Sequence, residues 1–393
     1  MCIDDAWEED DMEVNTMPKN LRELLQDLDA QGIPKELRYD HVRRFLDFRA
    51  REQGIPLTGT FELTPLCNLD CKMCYVHLNK GQMQGAKLLS TDEWKQIMKE
   101  AVDAGMMYAK LTGGECLTYP GFKELYLYLQ SMGVEITVLT NGRLMDDSMV
   151  SFFKENPPAV IQITLYGADE EVYERVTGHA AFVEVVSNIR NAQDAGLPLR
   201  IALTPNHYLG KDGEALVRFV HNLNLTYAIN SGLFEAREET GRVLDEYDLN
   251  LDDIMRMYHV RRELKGTLEL PECNEETLPE IGTEITEEVQ YGVQCGAGRS
   301  GFSIDWKGKI YPCNVLRLGG INVLETEFTQ AWRTIHSLVM EYPLPVECQG
   351  CAYKKVCKSC VAEHANGANP GHANPIICQY GKRMVVEGLL KLE

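Results

Sequence analysis

Cys67-Asn68-Leu69-Asp70-Cys71-Lys72-Met73-Cys74 puts three thiols within eight residues, and the next cysteine after them is Cys116. Thiols this close together cannot serve independent packing roles. Iron–sulfur cubes are held by cysteine thiolates, normally four of them. Three thiolates leave one iron open to a small molecule that donates through nitrogen and oxygen. The alternative is zinc, which prefers four closed ligands from paired Cys-x2-Cys or Cys/His arms. No such arm lies beside this octet.

With 393 residues, 44% of them apolar, the chain can bury a large core and divide into one large and one smaller domain. No apolar run reaches the roughly 18 residues of a membrane span. The first fifteen residues carry Asp4, Asp5, Glu8, Glu9, Asp10, Asp11 and Glu13 without one basic residue, the reverse of a signal peptide. A cytoplasmic protein with a solvated acidic tail and no membrane partner is expected. A net charge of −20 argues against nucleic acid, whose phosphates need clustered Lys and Arg. Thirteen cysteines in such a chain read as metal or redox chemistry and not as a disulfide framework. Ten of them fall into two groups, the octet and a run from Cys295 to Cys378.

Outward from the octet, periodicity gives the architecture. Leu21, Leu24, Leu25 and Leu28 repeat at helical spacing, as do Leu37, His41, Phe45 and Phe48. Gly32-Ile33-Pro34 separates these helices and Gly54-Ile55-Pro56 ends the second. Strands are expected at 61–64, 108–112, 134–140, 159–165, 199–204 and 225–229. Helices alternate with them at 91–104, 120–132, 146–154, 182–195 and 213–222. Ser90 or Thr91 caps the first of these, with Glu93 placed for a capping box. Six strands alternating with helices predict an α/β fold with a parallel sheet and right-handed crossovers. In barrels of this kind the chemistry sits at the C-terminal strand ends. The octet, Gly113-Gly114-Glu115 and Asn141-Gly142 all fall there. The expected organisation is a tail with two helices over 1–57, a barrel over 58–265, an acidic linker over 266–290 and a cysteine-rich domain over 291–393.

The Cys-x3-Cys-x2-Cys spacing, followed by one helix, one strand and Gly-Gly-Glu, resembles the radical S-adenosylmethionine (SAM) enzymes. That resemblance implies a partial (β/α)6 barrel whose cube is held by Cys67, Cys71 and Cys74. The open iron would chelate SAM, and reductive cleavage would give a 5′-deoxyadenosyl radical. It also implies a SAM site of Gly113, Gly114 and Glu115, with the carboxylate accepting from the methionine ammonium. Asn141 and Thr164 would lie near ribose or carboxylate. Arg175 would pair with the SAM carboxylate or form a structural ion pair. Met73 stands where the family carries an aromatic against adenine, an absence Tyr75 could offset. Cys116 replaces a common proline and reads as a tolerated small residue.

The order Cys295-x12-Gly308-x4-Cys313, Cys348-x2-Cys351-x5-Cys357-x2-Cys360 and Cys378 resembles the SPASM extension of these enzymes. Paired Cys-x2-Cys arms also suit zinc, but seven cysteines exceed one zinc site. The resemblance implies two auxiliary 4Fe–4S clusters, three cubes in all. Cys348, Cys351, Cys357 and Cys378 would hold one. Cys295, Cys313 and Cys360 would hold the other, completed by Cys273 or left with an open iron. Only Lys358 and Ser359 separate the last pair, where the family usually has three residues, so the partition stays open. Relatives chiefly modify peptides. The expected activity is therefore a thioether or carbon–carbon crosslink in a ribosomally made peptide, with flavodoxin or ferredoxin as reductant. The alternatives are a sugar or alcohol radical dehydrogenase, a formylglycine maturase and a non-enzymatic iron–sulfur protein. Asn314 disfavours the maturase, which carries an aspartate base at that place. The absence of a hairpin pattern before residue 57 counts against a winged-helix leader-binding domain. No catalytic base is singled out.

Overall fold

The computed structural model describes residues 18–83, 87–230, 232, 234, 236–240, 250–266, 291–357, 360–365 and 372–391. The acidic tail, Cys273 and all of the acidic linker but its first residue lie outside the described residues.

Helices α1 (Leu21–Ala30) and α2 (Tyr39–Gln53) pack on each other through Leu24, Leu28 and Phe45. The strands β1 (Thr58–Glu62), β2 (Tyr108–Thr112), β3 (Glu135–Thr140), β4 (Val160–Leu165), β5 (Leu199–Leu203) and β6 (Thr226–Ile229) pair parallel in sequence order. Between them run α3 (Thr91–Asp103), α4 (Phe122–Ser131), α5 (Asp147–Glu155), α6 (Glu170–Thr177), α7 (Phe182–Asp194) and α8 (Gly213–His221), and α9 (Leu251–Lys265) follows β6. The strand order never reverses, so no switch point forms, and the six C-terminal ends open on one side as in a barrel. Phe61, Leu111, Val138, Ile161, Ile163 and Ile201 fill the core from the strands. Trp94, Ile97, Met98 and Ala101 of α3 cover it at helical spacing. Trp94 meets Phe61 edge-on, with ring centroids 6.0 Å apart.

Two features depart from the sequence expectation. Among the described residues the sheet has nine strands, not six. β7 (Gly301–Ile304) pairs parallel with β1, Thr58 opposite Gly301, and β8 (Lys309–Tyr311) and β9 (Ile321–Asn322) extend it antiparallel. A four-residue strand carries too little pattern to be read locally, and its place is set by contacts such as Phe302 edge-on against Phe61. The second is α6, an eight-residue helix that Asp169 caps by accepting from the Val172 N–H at 2.9 Å.

The chain then forms α10 (Phe328–Met340), α11 (Val361–Ala365) and α12 (Pro375–Val386). α10 buries Phe328, Ala331, Trp332 and Ile335, and Trp332 Nε1 donates to Gly54 O at 2.6 Å. Met384 of α12 packs with Ile254 and Met255 of α9. Among the described residues no helix is long and apolar enough to cross a membrane.

Ser90 is the cap of α3. Its Oγ accepts from Glu93 N at 3.3 Å, and the Glu93 carboxylate accepts from Ser90 N at 2.6 Å. Ser90→Ala should cost about 1 kcal/mol, seen as a lower urea midpoint at constant slope. An unmoved midpoint would mean that the buried face of α3 alone holds the helix in place.

Candidate active site

The cysteine loop leaves β1 and is held on three sides. Asp70 N and Lys72 N donate to Thr177 O and Val176 O at 2.9 and 3.0 Å. These are the last carbonyls of α6, which no intrahelical donor reaches. On the second side Gly114 N donates to Thr64 O at 2.7 Å and Glu115 N to Leu66 O at 2.9 Å. On the third, Arg143 Nη1 donates to Asn68 O at 2.6 Å, and Asn141 Nδ2 donates to Asn68 Oδ1 at 2.7 Å.

Each sulfur of the loop receives a donor. Leu69 N and Asn141 Nδ2 lie 3.4 and 3.5 Å from Cys67 Sγ, and His77 N lies 3.3 Å from Cys74 Sγ. The Tyr166 side chain hydrogen-bonds Cys71. Burial, then the charges of Glu115 and Cys74, push the Cys67 thiol up to about 12 against those donors. Burial also raises Cys71, with Cys74 and Cys67 adding to it. Each of these two thiols thus feels the charge of another cysteine of the loop. No three His, Cys, Asp or Glu side chains among the described residues converge on a single metal ion. A cube is a larger body than an ion, and this donor set of three thiolates with hydrogen bonds to sulfur fits one.

Gly113 and Gly114 allow a close approach of the protein's own backbone. A Cβ on Gly113, whose φ is +148°, would stand 2.2 Å from Thr64 O. One on Gly114 would stand 2.4 Å from Leu66 O and 2.5 Å from Pro65 O. The glycines let the end of β2 lie directly against the base of the cysteine loop. Glu115 is 1% exposed. Its Oε1 accepts from Thr140 Oγ1 at 2.8 Å and Leu117 N at 3.0 Å, and its Oε2 from Asn141 N at 2.7 Å. Burial raises its pKa while these donors oppose the rise. The carboxylate fastens β2 to β3, and Oε2 keeps capacity for one further donor.

Thr164 is the penultimate residue of β4 and half-buried. Of the two roles expected for Arg175, the structure shows the ion pair: its Nε donates to Tyr208 O at 2.9 Å and its Nη2 pairs with Asp212. Tyr75, one residue beyond Cys74, is held by the C-terminal part of the chain. It stands edge-on to Phe234 at 6.1 Å and packs with Val293, Val315 and Leu316, and its hydroxyl accepts from Asn314 Nδ2 at 2.8 Å. Met73 instead packs on the main core. Cys116 is buried with its Sγ 3.3 Å from Leu139 O.

The C-terminal cysteines form two groups. Burial first, then Cys378, Cys357 and Cys351, push the Cys348 thiol up to about 12. Cys378 rises to about 11 from burial, Cys357 and Cys351. A Cβ on Gly381 of α12 would stand 2.3 Å from Cys357 Cβ, so the glycine admits the cysteine against the helix. Cys295, Cys313 and Cys360 instead pack on the apolar cluster of Val293, Val315, Leu316 and Val361, where Leu316 N lies 3.2 Å from Cys313 Sγ. The residues that the sequence did not flag are Arg143, Tyr166, Glu62 and Arg237. Arg143 directly follows Asn141-Gly142 and Tyr166 lies two residues after Thr164, whereas nothing local marks Glu62 or Arg237.

Residues 61–220 match the family model described as the Radical SAM superfamily, and the chain carries a radical SAM domain over that stretch. Its relatives include the sporulation killing factor maturation protein SkfB of Bacillus subtilis (strain 168), 29% identical over 153 residues. That match spans 39% of this chain and only 36% of SkfB. The antilisterial bacteriocin subtilosin biosynthesis protein AlbA of the same organism is 22% identical over 87% of this chain and 75% of AlbA. An AdoMet-dependent heme synthase of Methanosarcina barkeri (strain Fusaro / DSM 804) is 25% identical over 78% of this chain and 91% of that protein. The crystal structure of Streptococcus suis SuiB bound to S-adenosylmethionine shares the fold, with a TM-score of 0.63 at 16% identity over 90% of this chain and 86% of SuiB.

Glu115→Ala would orphan three buried donors, at about 1–3 kcal/mol each. The expected result is a lowered unfolding midpoint in protein that has met no SAM, together with loss of iron at Cys67, Cys71 and Cys74. A variant as stable as the parent would assign Glu115 to ligand binding alone.

Proposed function

We propose that this enzyme uses SAM and three 4Fe–4S clusters to abstract hydrogen from a peptide, installing a thioether or carbon–carbon crosslink. The observation that carries the reading is one continuous sheet that runs from the cysteine loop after β1 to Cys313 after β8, beside two further cysteine groups with separate apolar cores. Cys67, Cys71 and Cys74 would hold the SAM cluster. Cys348, Cys351, Cys357 and Cys378 would hold one auxiliary cluster. Cys295, Cys313 and Cys360, with Cys273 or an open iron, would hold the other. SAM and its cluster, when bound, supply a 5′-deoxyadenosyl radical able to take hydrogen from carbon.

The protein's own contribution is binding, orientation and electrostatics. Donors to sulfur from Leu69, Asn141, His77 and Tyr166 set how readily a cube accepts an electron. Gly113, Gly114, Glu115, Asn141 and Thr164 line the strand ends where SAM would lie. Arg175, engaged with Asp212, steadies the loop after β5 instead. Asn314 offers no base and is tied to Tyr75, which separates this chain from formylglycine maturases. A flavodoxin or ferredoxin in the cytoplasm would supply the electron.

The peptide reading draws support from the names of SkfB and AlbA and from the SuiB structure described as bound to precursor peptide SuiA. The heme synthase match favours a second reading, in which the substrate is a small molecule.

Anaerobically reconstituted protein should hold about eleven to twelve iron atoms per chain, the content of three cubes. Changing Cys67, Cys71 and Cys74 together to Ala should remove about four of them and all formation of 5′-deoxyadenosine. Continued formation in the triple variant overturns the assignment. Loss of two hydrogens from a small precursor peptide encoded beside the gene, read by mass spectrometry, decides for the peptide. No change in such a peptide favours the small-molecule reading.

A further inference from the structure

Arg237 lies in the segment between β6 and α9, and its side chain is 7% exposed. Its guanidinium forks onto Glu62, the last residue of β1, with Nη1 to Oε2 at 2.7 Å and Nη2 to Oε1. Nη2 also donates to Asn314 O at 2.8 Å. The Arg237 N–H donates to Tyr75 O at 3.0 Å, and the guanidinium carbon stands 5.5 Å from the centre of the Tyr75 ring. Tyr75 follows Cys74 directly and Asn314 follows Cys313. The two are joined by the Asn314 Nδ2 to Tyr75 hydroxyl bond at 2.8 Å. The same segment also grips the far end of the cysteine loop, because Gln82 Nε2 donates to Thr240 O at 2.6 Å. One buried residue thus touches the strand that leads into the octet, the residue after its last cysteine and the residue after Cys313.

A buried ion pair is a poor stabiliser, since apolar residues of similar volume often hold a fold as well. What a bidentate arginine adds is fixed geometry. We infer that Arg237 is a positioning residue that locks the Cys74–Tyr75 segment to the Cys313–Asn314 segment, and so fixes how the groups held by the two cysteine sets sit towards each other. The inference rests on the cluster assignment proposed above. If Arg237 only closed its own loop, the fork onto β1 and the bond to Asn314 would have no consequence for either set.

The test compares the full-length parent, Arg237→Lys and the double variant Glu62→Leu with Arg237→Met, all reconstituted anaerobically. Iron content and 5′-deoxyadenosine formed from SAM with dithionite test the cluster assignment by themselves. Microwave power saturation of the EPR signal of dithionite-reduced protein tests the lock, because a neighbouring paramagnet speeds relaxation. Both variants should keep the parent's iron, the first because the charge remains and the second because an apolar pair replaces the ion pair. Their signals should saturate at lower power than the parent's. Hydrogen exchange, which needs no cluster, should quicken together at 74–78 and 313–316 in Arg237→Lys. A parent-like saturation curve at full iron, or faster exchange in only one of the two segments, overturns the inference.

Discussion

The end of β2 lies so close to Thr64, Pro65 and Leu66 that no Cβ fits between the two backbones. Much of the site follows from that contact. It fixes the base of the cysteine loop in height, because Gly114 N and Glu115 N spend their hydrogen bonds on Thr64 O and Leu66 O. It also forces the Glu115 side chain inward, where a buried carboxylate is tolerable only if donors surround it. Besides Leu117 N, those donors are Thr140 and Asn141 at the end of β3. Asn141 in turn reaches Asn68 and the sulfur of Cys67. Sheet geometry is thereby transmitted to the sulfur of Cys67 through one carboxylate and one amide. Such outer partners orient ligands and tune the metal they hold.

What the sequence made legible was local. Three cysteines in eight residues, a capping box at Ser90 and Glu93, and the apolar spacing of α3 and β3 each declare themselves within a few residues. What it hid depends on distant chain. The Gly113-Gly114-Glu115 motif was visible, but its partner backbone lies about fifty residues upstream. Arg175 could be placed near the site yet not oriented, because Asp212 and Tyr208 come from a loop after β5. Tyr75 follows Cys74 directly, yet the partner of its hydroxyl, Asn314, comes from beyond residue 300. β7 carries four residues of pattern, too few to separate a strand from a turn.

The C-terminal cysteines show how little apolar core they have to lean on. One group rests on Val293, Val315, Leu316 and their neighbours, the other on Tyr353, Val356 and Val385. Burial holds Cys348 and Cys378 well above the ordinary thiol range, so these sulfurs are neutral near pH 7. A metal that takes them as thiolates must release their protons, which couples loading to pH and makes binding energy part of folding energy.

The pairing of Thr58–Phe61 with Gly301–Ile304 has a consequence for biogenesis. While the barrel strands emerge from a ribosome, β1 has β2 on one side and nothing on the other. At synthesis rates of about 5–20 residues per second, its open edge waits on the order of tens of seconds for β7. That edge leads straight into Leu63 and the three thiols, and an unpaired apolar strand edge is a template for association with other chains. Contacts this distant in sequence also form slowly. The step that completes the sheet beside β1 therefore belongs to the last third of the chain, so closing that edge falls to the part that also carries the further cysteines.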